Sequence, residues 1–208
     1  MNEGAIDRSF GEALSPESRT RLNGLALQLT KWNPAINLVA KGSLAEVWQR
    51  HIADSAQVFD YMPRQAGTWL DLGSGGGFPG LVVAILAKEQ APHLRVELVE
   101  SDQRQCVFLQ TVARSLDLSV TVTRSRIEAL SPRRADVISA RALAPMEQLC
   151  RYCLPHLAPG GICLFLKGAQ VEAELVEARK LYNFNAEIFR SETGRAGTVV
   201  QVSGLTHV

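Results

Sequence analysis

The stretch Leu70-Asp71-Leu72-Gly73-Ser74-Gly75-Gly76-Gly77-Phe78-Pro79-Gly80 decides the fold. It leaves a short β-branched and aliphatic run, residues 68–72, and enters a helical pattern over 79–88. A turn this tight after a parallel strand places a ligand at the carboxyl end of a sheet, beside a helix N-terminus, and glycine lets the backbone come close to it. Downstream the same alternation repeats: strands over 95–99, 119–123 and 135–139, helices over 102–116 and 145–157. That order predicts a mainly parallel sheet with helices on both faces. The chain closes with a strand over 162–166, a polar helix over 169–182, and strands over 184–190 and 198–202 joined by a glycine-containing turn, an antiparallel edge hairpin that completes seven strands.

Upstream, the pattern is helical. Ser15-Pro16 is a start signal, Leu22, Leu25 and Leu29 recur at helical spacing, and Asn33-Pro34 is a stop. Ser43-Leu44-Ala45-Glu46 has the form of a capping box, opening a second helix that continues through His51 and Phe59 to Pro63. Residues 1–65 are therefore expected to be a helical N-terminal region and 66–208 one compact domain.

The 208 residues, 46% hydrophobic and 21% charged, suit one globular core and exclude a disordered chain. The longest unbroken aliphatic run, 81–87, is far short of the roughly 18 residues that span a bilayer, and the acidic start lacks a secretory pattern. No membrane anchor is expected. Cysteines at 106, 150, 153 and 163 do not form a disulfide framework, which points to reduced thiols and a cytoplasmic protein. The net charge of +1 gives no global attraction to nucleic acid, but residues 124–141 carry five arginines against two acids, a local basic segment.

The ligand at the turn is a nucleoside. Gly75, Gly77 and Gly80 match the dinucleotide pattern, but they begin one turn too late, and Asp71 would repel a pyrophosphate. A carboxylate there suits S-adenosyl-L-methionine, whose ammonium and sulfonium carry positive charge. Glu100, 20 residues after Gly80, ends the second strand where it can accept hydrogen bonds from a ribose diol. The bland alternative is that Asp71 caps the turn and Glu100 is a solvated strand end.

Six blocks now line up: the glycine turn itself, WNPAINL (32–38), RHIADS (50–55), SRIEAL (125–130), ISARAL (138–143) and LKG (166–168). In this order they resemble the bacterial small-subunit ribosomal RNA methyltransferase G family, also called glucose-inhibited division protein B, over about residues 20–170. The resemblance implies a Rossmann-like class I methyltransferase fold and S-adenosyl-L-methionine-dependent methylation of guanine N7 in 16S ribosomal RNA near the decoding centre. It implies cofactor contacts at Gly73 and Phe78, at Ile127 and Glu128, and at Arg141; Asp71, Gly75 and Glu100 join them from the reading of the turn. Gly76 and Phe78 stand where many relatives carry Pro and Leu.

Guanine N7 already exposes a lone pair, so its methylation needs no general base and positioning suffices. Arg141 is the candidate catalytic residue, as a donor to guanine O6 or a phosphate, or else as a cofactor or carboxylate partner. Arg124, Arg126, Arg133, Arg134 and Lys167 are candidate RNA contacts; solvated loop and strand-end positions are the alternative. The expected partner is 16S rRNA, within the small subunit or an assembly intermediate, with no obligatory protein partner. His51 and Asp54 share a helix face, either as a pair oriented over the cofactor or as a surface hydrogen bond. Cys150, Cys153 and His156 also share one, yet no fourth ligand is evident and no metal is expected. Trp32 and Trp48 fit the core better than base stacking. A small-molecule methyltransferase and a noncatalytic nucleotide-binding module are the competing functions; the first would want an apolar lid in place of the arginines.

Overall fold

A strand that is apolar on both faces must be covered on both, and β1 (Thr68–Leu72) is buried along nearly its whole length. The computed structural model describes residues 14–190 and 197–208. Seven strands form one sheet in the order β3-β2-β1-β4-β5-β7-β6, with β2 (Arg95–Glu100), β3 (Val120–Arg124), β4 (Ala135–Arg141), β5 (Leu157–Lys167), β6 (Tyr182–Arg190) and β7 (Thr198–His207). The first five run parallel, and β7 pairs antiparallel with both β5 and β6. The expected class, including the edge hairpin, is the fold observed; the hairpin's turn lies outside the described residues. The strand order reverses between β1 and β4, which opens the crevice where such sheets bind ligands.

Period-two alternation sorts the side chains. Trp69, Leu98, Val137 and Leu164 join a core with Leu22, Leu25 and Leu29 of α1 (Pro16–Ile36), Val58 of α2 (Asp54–Asp60), α3 (Gly80–Gln90) and Phe108 of α4 (Gln103–Ser115). Leu70, Leu72, Ile138 and Phe165 face the other way, against Leu149 of α5 (Met146–Cys153) and Leu175 of α6 (Val171–Ala178). The N-terminal helices thus share the core of one sheet face.

Several boundaries differ from the sequence reading: β7 runs to His207, five residues past 202, the helix expected over 169–182 spans Val171–Ala178, and three more differences have a local cause. Helix α1 begins as expected, Ser15 Oγ accepting from Ser18 N, but runs past Pro34 to Ile36, because Asn37 adopts the left-handed conformation (φ 50°) and donates to Asn33 O. The second helix is not one helix: a 3₁₀ turn (Lys41–Glu46) and a π turn (Trp48–Ala53) precede α2. Its capping box does not form, since Ser43 Oγ donates to Ala40 O at 2.7 Å and meets His51 Nε2 at 2.8 Å. Strand β5 starts at Leu157, five residues early; Pro159-Gly160-Gly161 looks like a turn but is absorbed as an irregularity in the pairing with β4, Gly160 taking φ 76°.

Candidate active site

The glycine turn is pinned to the neighbouring strand: Gly73 N and Ser74 N both donate to Val99 O, at 2.9 and 3.0 Å. Gly73 has φ +66°, which favours glycine, and a Cβ there would stand 2.7 Å from Leu143 Cδ1, so that side chain would also have to shift. Glu100 closes the turn from the β2 tip. One carboxylate oxygen accepts from Gly75 N (3.0 Å), the other from Ser101 N (2.7 Å) and Asp102 N (2.9 Å). It therefore shapes the backbone as well as standing where a ribose would be read.

Asp71 lies deeper than the turn it precedes. It is fully buried, on the sheet face under α3 and not on the surface of the turn. Trp69 Nε1 donates to Ser139 Oγ (2.8 Å), which donates to Asp71 Oδ1 (2.6 Å). Asp71 Oδ2 has no hydrogen-bond partner and lies against Gly80, 2.6 Å from where a Cβ would be. Burial pushes the carboxyl up to about 6, against the Ser139 and Ser74 hydroxyls and the Gly80 backbone. Alternation along β1 puts Asp71 on the same sheet face as Trp69.

The Phe78 side chain is engaged within the protein. It is buried, stacks on the His51 ring (5.1 Å between centroids, 28°), and lies beneath Arg141, whose Cζ is 5.7 Å from its centroid. Arg141, at the end of β4, reaches across to the N-terminal region: Nη2 donates to Arg50 O (2.6 Å) and to His51 Nδ1 (2.8 Å). His51 Nδ1 must then be the acceptor and Nε2 the protonated nitrogen, giving a chain from Arg141 through His51 and Ser43 to Ala40 O. Burial, then the Arg141 and Arg50 charges, hold the imidazole down to about 3, so it is neutral. His51 pairs with Arg141 and Ser43, while Asp54 lines a cavity with Arg141 and Lys167. Burial disfavours the Arg141 charge; Asp54 supports it and Arg50 opposes it.

Beyond β3, Ile127 and Glu128 occupy a single 3₁₀ turn (Ile127–Ala129). Ile127 is half-buried against the second core, and Glu128 is exposed, accepting from Tyr152 OH at 2.9 Å. Its own backbone N–H and that hydroxyl hold its carboxyl below the ordinary range.

The predicted arginine cluster separates. Arg124 ends β3 opposite Glu100, whereas Arg134 precedes β4 at the other end of the sheet, roughly 20 Å away along the strands. Arg124 and Arg126 are exposed at the carboxyl edge; Arg133 is bound to Glu97 at 3.1 Å and Ser131 at 2.6 Å. Lys167 is not a free strand-end cation either. Its Nζ contacts Glu174 Oε2 at 2.5 Å and Ala144 O at 3.0 Å, and the same Glu174 oxygen accepts from Met146 N, fastening α6 and the start of α5 to the tip of β5. Cys150, Cys153 and Cys163 are buried core thiols, with Cys150 pushed up to about 12 by burial. Trp32 packs edge-on to Phe108 and Trp48 against the same core. No helix among the described residues is long and apolar enough to cross a membrane. Sequence reasoning missed the roles of Ser43, Ser139, Leu143 and Glu174; Ser43 reads as a cap, and Ser139 and Leu143 leave a trace inside the ISARAL block.

Comparison with known proteins agrees with this arrangement. Among solved structures the chain is similar to an O-methyltransferase from Bacillus cereus in complex with SAH (TM-score 0.60, 14% identity, 95% of this chain and 96% of that one). It is also similar to a SAM-dependent methyltransferase from Aquifex aeolicus (TM-score 0.57, 16% identity, 76% and 92%), and both likenesses concern the fold. By sequence it is 49% identical over 204 residues to the ribosomal RNA small subunit methyltransferase G of Cereibacter sphaeroides, covering 97% of this chain and 98% of the relative. The corresponding protein of Parvibaculum lavamentivorans is 47% identical over 194 residues, 92% and 85% covered. A family model described as rRNA small subunit methyltransferase G matches residues 19–195, so with the glycine turn, the Glu100 clasp and the Arg141 bridge in place, the chain belongs to the rRNA small subunit methyltransferase G family.

Proposed function

We propose that this protein transfers a methyl group from S-adenosyl-L-methionine to N7 of a guanine in 16S ribosomal RNA near the decoding centre, acting in the cytoplasm on the small subunit or an assembly intermediate. Family membership supports the RNA substrate, and the glycine turn between Asp71 and Gly80 carries the cofactor reading. Gly73 takes a left-handed backbone (φ +66°) that glycine favours, and Glu100 stands at the strand tip, holding Gly75 N at 3.0 Å. These residues fit the cofactor: Gly73 and Gly75 would lie against it, Glu100 would accept from its diol, and the Ile127–Glu128 turn would border its base. When bound, the cofactor supplies an electrophilic methyl group on a sulfonium.

The chain's own residues then position, with no proton to remove. His51, held neutral near 3 and hydrogen-bonded on both nitrogens, is unsuited to act as a general base and serves to orient Arg141. Arg141 has one nitrogen, Nη1, buried without a hydrogen-bond partner, a donor still to be used. An acceptor such as guanine O6 is a fitting recipient, and that hydrogen bond would hold the base in place. Mapping methylated guanines in rRNA from cells lacking this protein, with and without its return, tests the proposal: a 7-methylguanine in 16S rRNA must vanish and reappear. Calorimetry must also give binding of S-adenosyl-L-methionine and its demethylated product but not NAD.

A further inference from the structure

Beside the Arg141–Ala142 turn, at the carboxyl ends of β4 and β5, lies a cavity of about 250 Å³. Its polar lining includes Asp54, Gln57, Arg141 and Lys167, and Leu166 and Val199 line it as well. Leu166 and Val199 are register partners on adjacent strands, so their side chains share one face and make an apolar floor. The volume lies below the usual range for drug-sized ligands, which suits a single planar base and not a dinucleotide.

The charges on the wall are unequal in availability. Lys167 is committed to Glu174 and the Ala144 carbonyl. Arg141 retains the unpartnered Nη1, and Asp54 is near enough for its charge to support the guanidinium. A carboxylate provides about four lone-pair sites, enough to serve a cation and a ligand together. The lining therefore sets an acceptor side chain, Asp54, next to a cationic one, Arg141, above an apolar floor. Its complement is a flat ring with adjacent N–H donors on one edge and acceptors on the adjoining edge. Among the four RNA bases only guanine has this pattern: N1–H and the 2-amino group side by side, then O6 and N7. Adenine would set its N1 lone pair against the carboxylate.

We propose that this cavity receives the target guanine and that Asp54 is its specificity-determining residue, accepting from N1–H and the 2-amino group while Arg141 donates to O6. Binding by this edge directs the O6/N7 side towards the Arg141–Ala142 turn, whose neighbour Leu143 packs over Gly73 of the glycine turn. A flipped-out base is read in the same way by other base-modifying enzymes, by hydrogen bonds to its Watson–Crick edge. The inference rests on the methyl-transfer reading above and adds the residue that selects guanine.

The test uses small subunits reconstituted with 16S RNA carrying either guanosine or inosine, which lacks only the 2-amino group, at the mapped methylation position. Single-turnover rates are measured for the full-length wild type and for Asp54→Asn, with cofactor and RNA saturating. The wild type should methylate the inosine substrate about 10- to 100-fold more slowly, the loss expected for one hydrogen bond to a charged group. Asp54→Asn should be slow on guanosine and nearly indifferent to the 2-amino group, while calorimetry with S-adenosylhomocysteine shows its cofactor affinity retained. Equal wild-type rates on the two substrates overturn the inference whether or not the variant folds. So does a variant that keeps the full preference for guanosine. If the wild type methylates neither substrate, the methyl-transfer reading itself fails, and that outcome is distinct from both.

Discussion

Replacing Gly73 by Ala separates two demands that the turn makes on one residue. The first is conformational: φ of +66° places a side chain in the left-handed region, at a cost of about 1–2 kcal/mol. The second is steric: the new Cβ would stand 2.7 Å from Leu143 Cδ1, where ordinary contact begins near 3.4 Å, so the end of the Leu143 side chain must shift, at a cost towards the low end of the about 1–3 kcal/mol that overpacking brings. Together they destabilise the fold by about 2–5 kcal/mol, a fall in Tm of roughly 4–20 °C for a chain of this length. Adding Leu143→Ala removes the clash but leaves the backbone penalty, so the pair should be less destabilising than the sum of the single variants by about 1–2 kcal/mol. Urea unfolding of the four proteins gives that coupling, and calorimetry with S-adenosylhomocysteine should follow it, binding being weakest in Gly73→Ala and partly restored in the double variant. Strict additivity, or a Gly73→Ala protein within 0.5 kcal/mol of wild type, would refute this account of the turn.

Three further outcomes are expected. Because His51 is held near 3 in the fold against 6.5 unfolded, its neutral form stabilises above pH 6.5, and about 1.4 kcal/mol is lost per unit as pH falls from there towards 3; His51→Asn, which keeps an acceptor for Arg141, should flatten that acid limb in urea unfolding, and an unchanged limb would contradict it. Asp71 has the opposite sign: raised to about 6 from 3.8, it stabilises below pH 4 and loses about 3 kcal/mol by pH 6–7, so Asp71→Asn should gain on wild type across that window, and a constant difference in stability would show the carboxyl to be ionised throughout. In RNA binding, Arg124→Ala and Arg126→Ala should each lower the salt slope by about one unit, whereas Arg134→Ala at the far end of the sheet should leave it unchanged; equal effects of all three would restore a single continuous patch.

The strands and the turn were legible because their signals are local. Residues 68–72 carry the β-branched and apolar character of a buried strand, and the glycines that follow fit no regular helix or strand. Ser15-Pro16 marks a helix start within three residues. What failed depended on direction or on distance. Alternation tells that Asp71 and Trp69 share a face, but not that this face lies under α3, where the carboxyl is fully buried. Arg124 and Arg133 are nine residues apart, yet the connection between them returns the chain from the carboxyl end of β3 to the amino end of β4, so proximity in sequence becomes separation in space. Ser43 looked like a cap because its spacing to Glu46 is right; its hydroxyl is drawn instead to His51, eight residues on, across a π turn that no sequence pattern announces.

These long-range contacts make the N-terminal region part of the site. The Arg50 carbonyl and the His51 imidazole set the position of Arg141, Phe78 of the glycine turn stacks on the same imidazole, and Asp54 completes the neighbouring cavity. On the sheet itself, the Trp69–Ser139–Asp71 chain joins β1 to β4 beneath the point where the strand order reverses. The two strands that flank the crevice are therefore fixed to each other from below, and the turns above them are fixed by a helical segment that sequence places some 20 to 90 residues away. The proposed N7 methylation, which aligns two reactants and removes no proton, would draw its rate from such positional constraint. It follows that residues far from any charge transfer, Ser43 and Ser139 among them, bear on the rate through the geometry they impose.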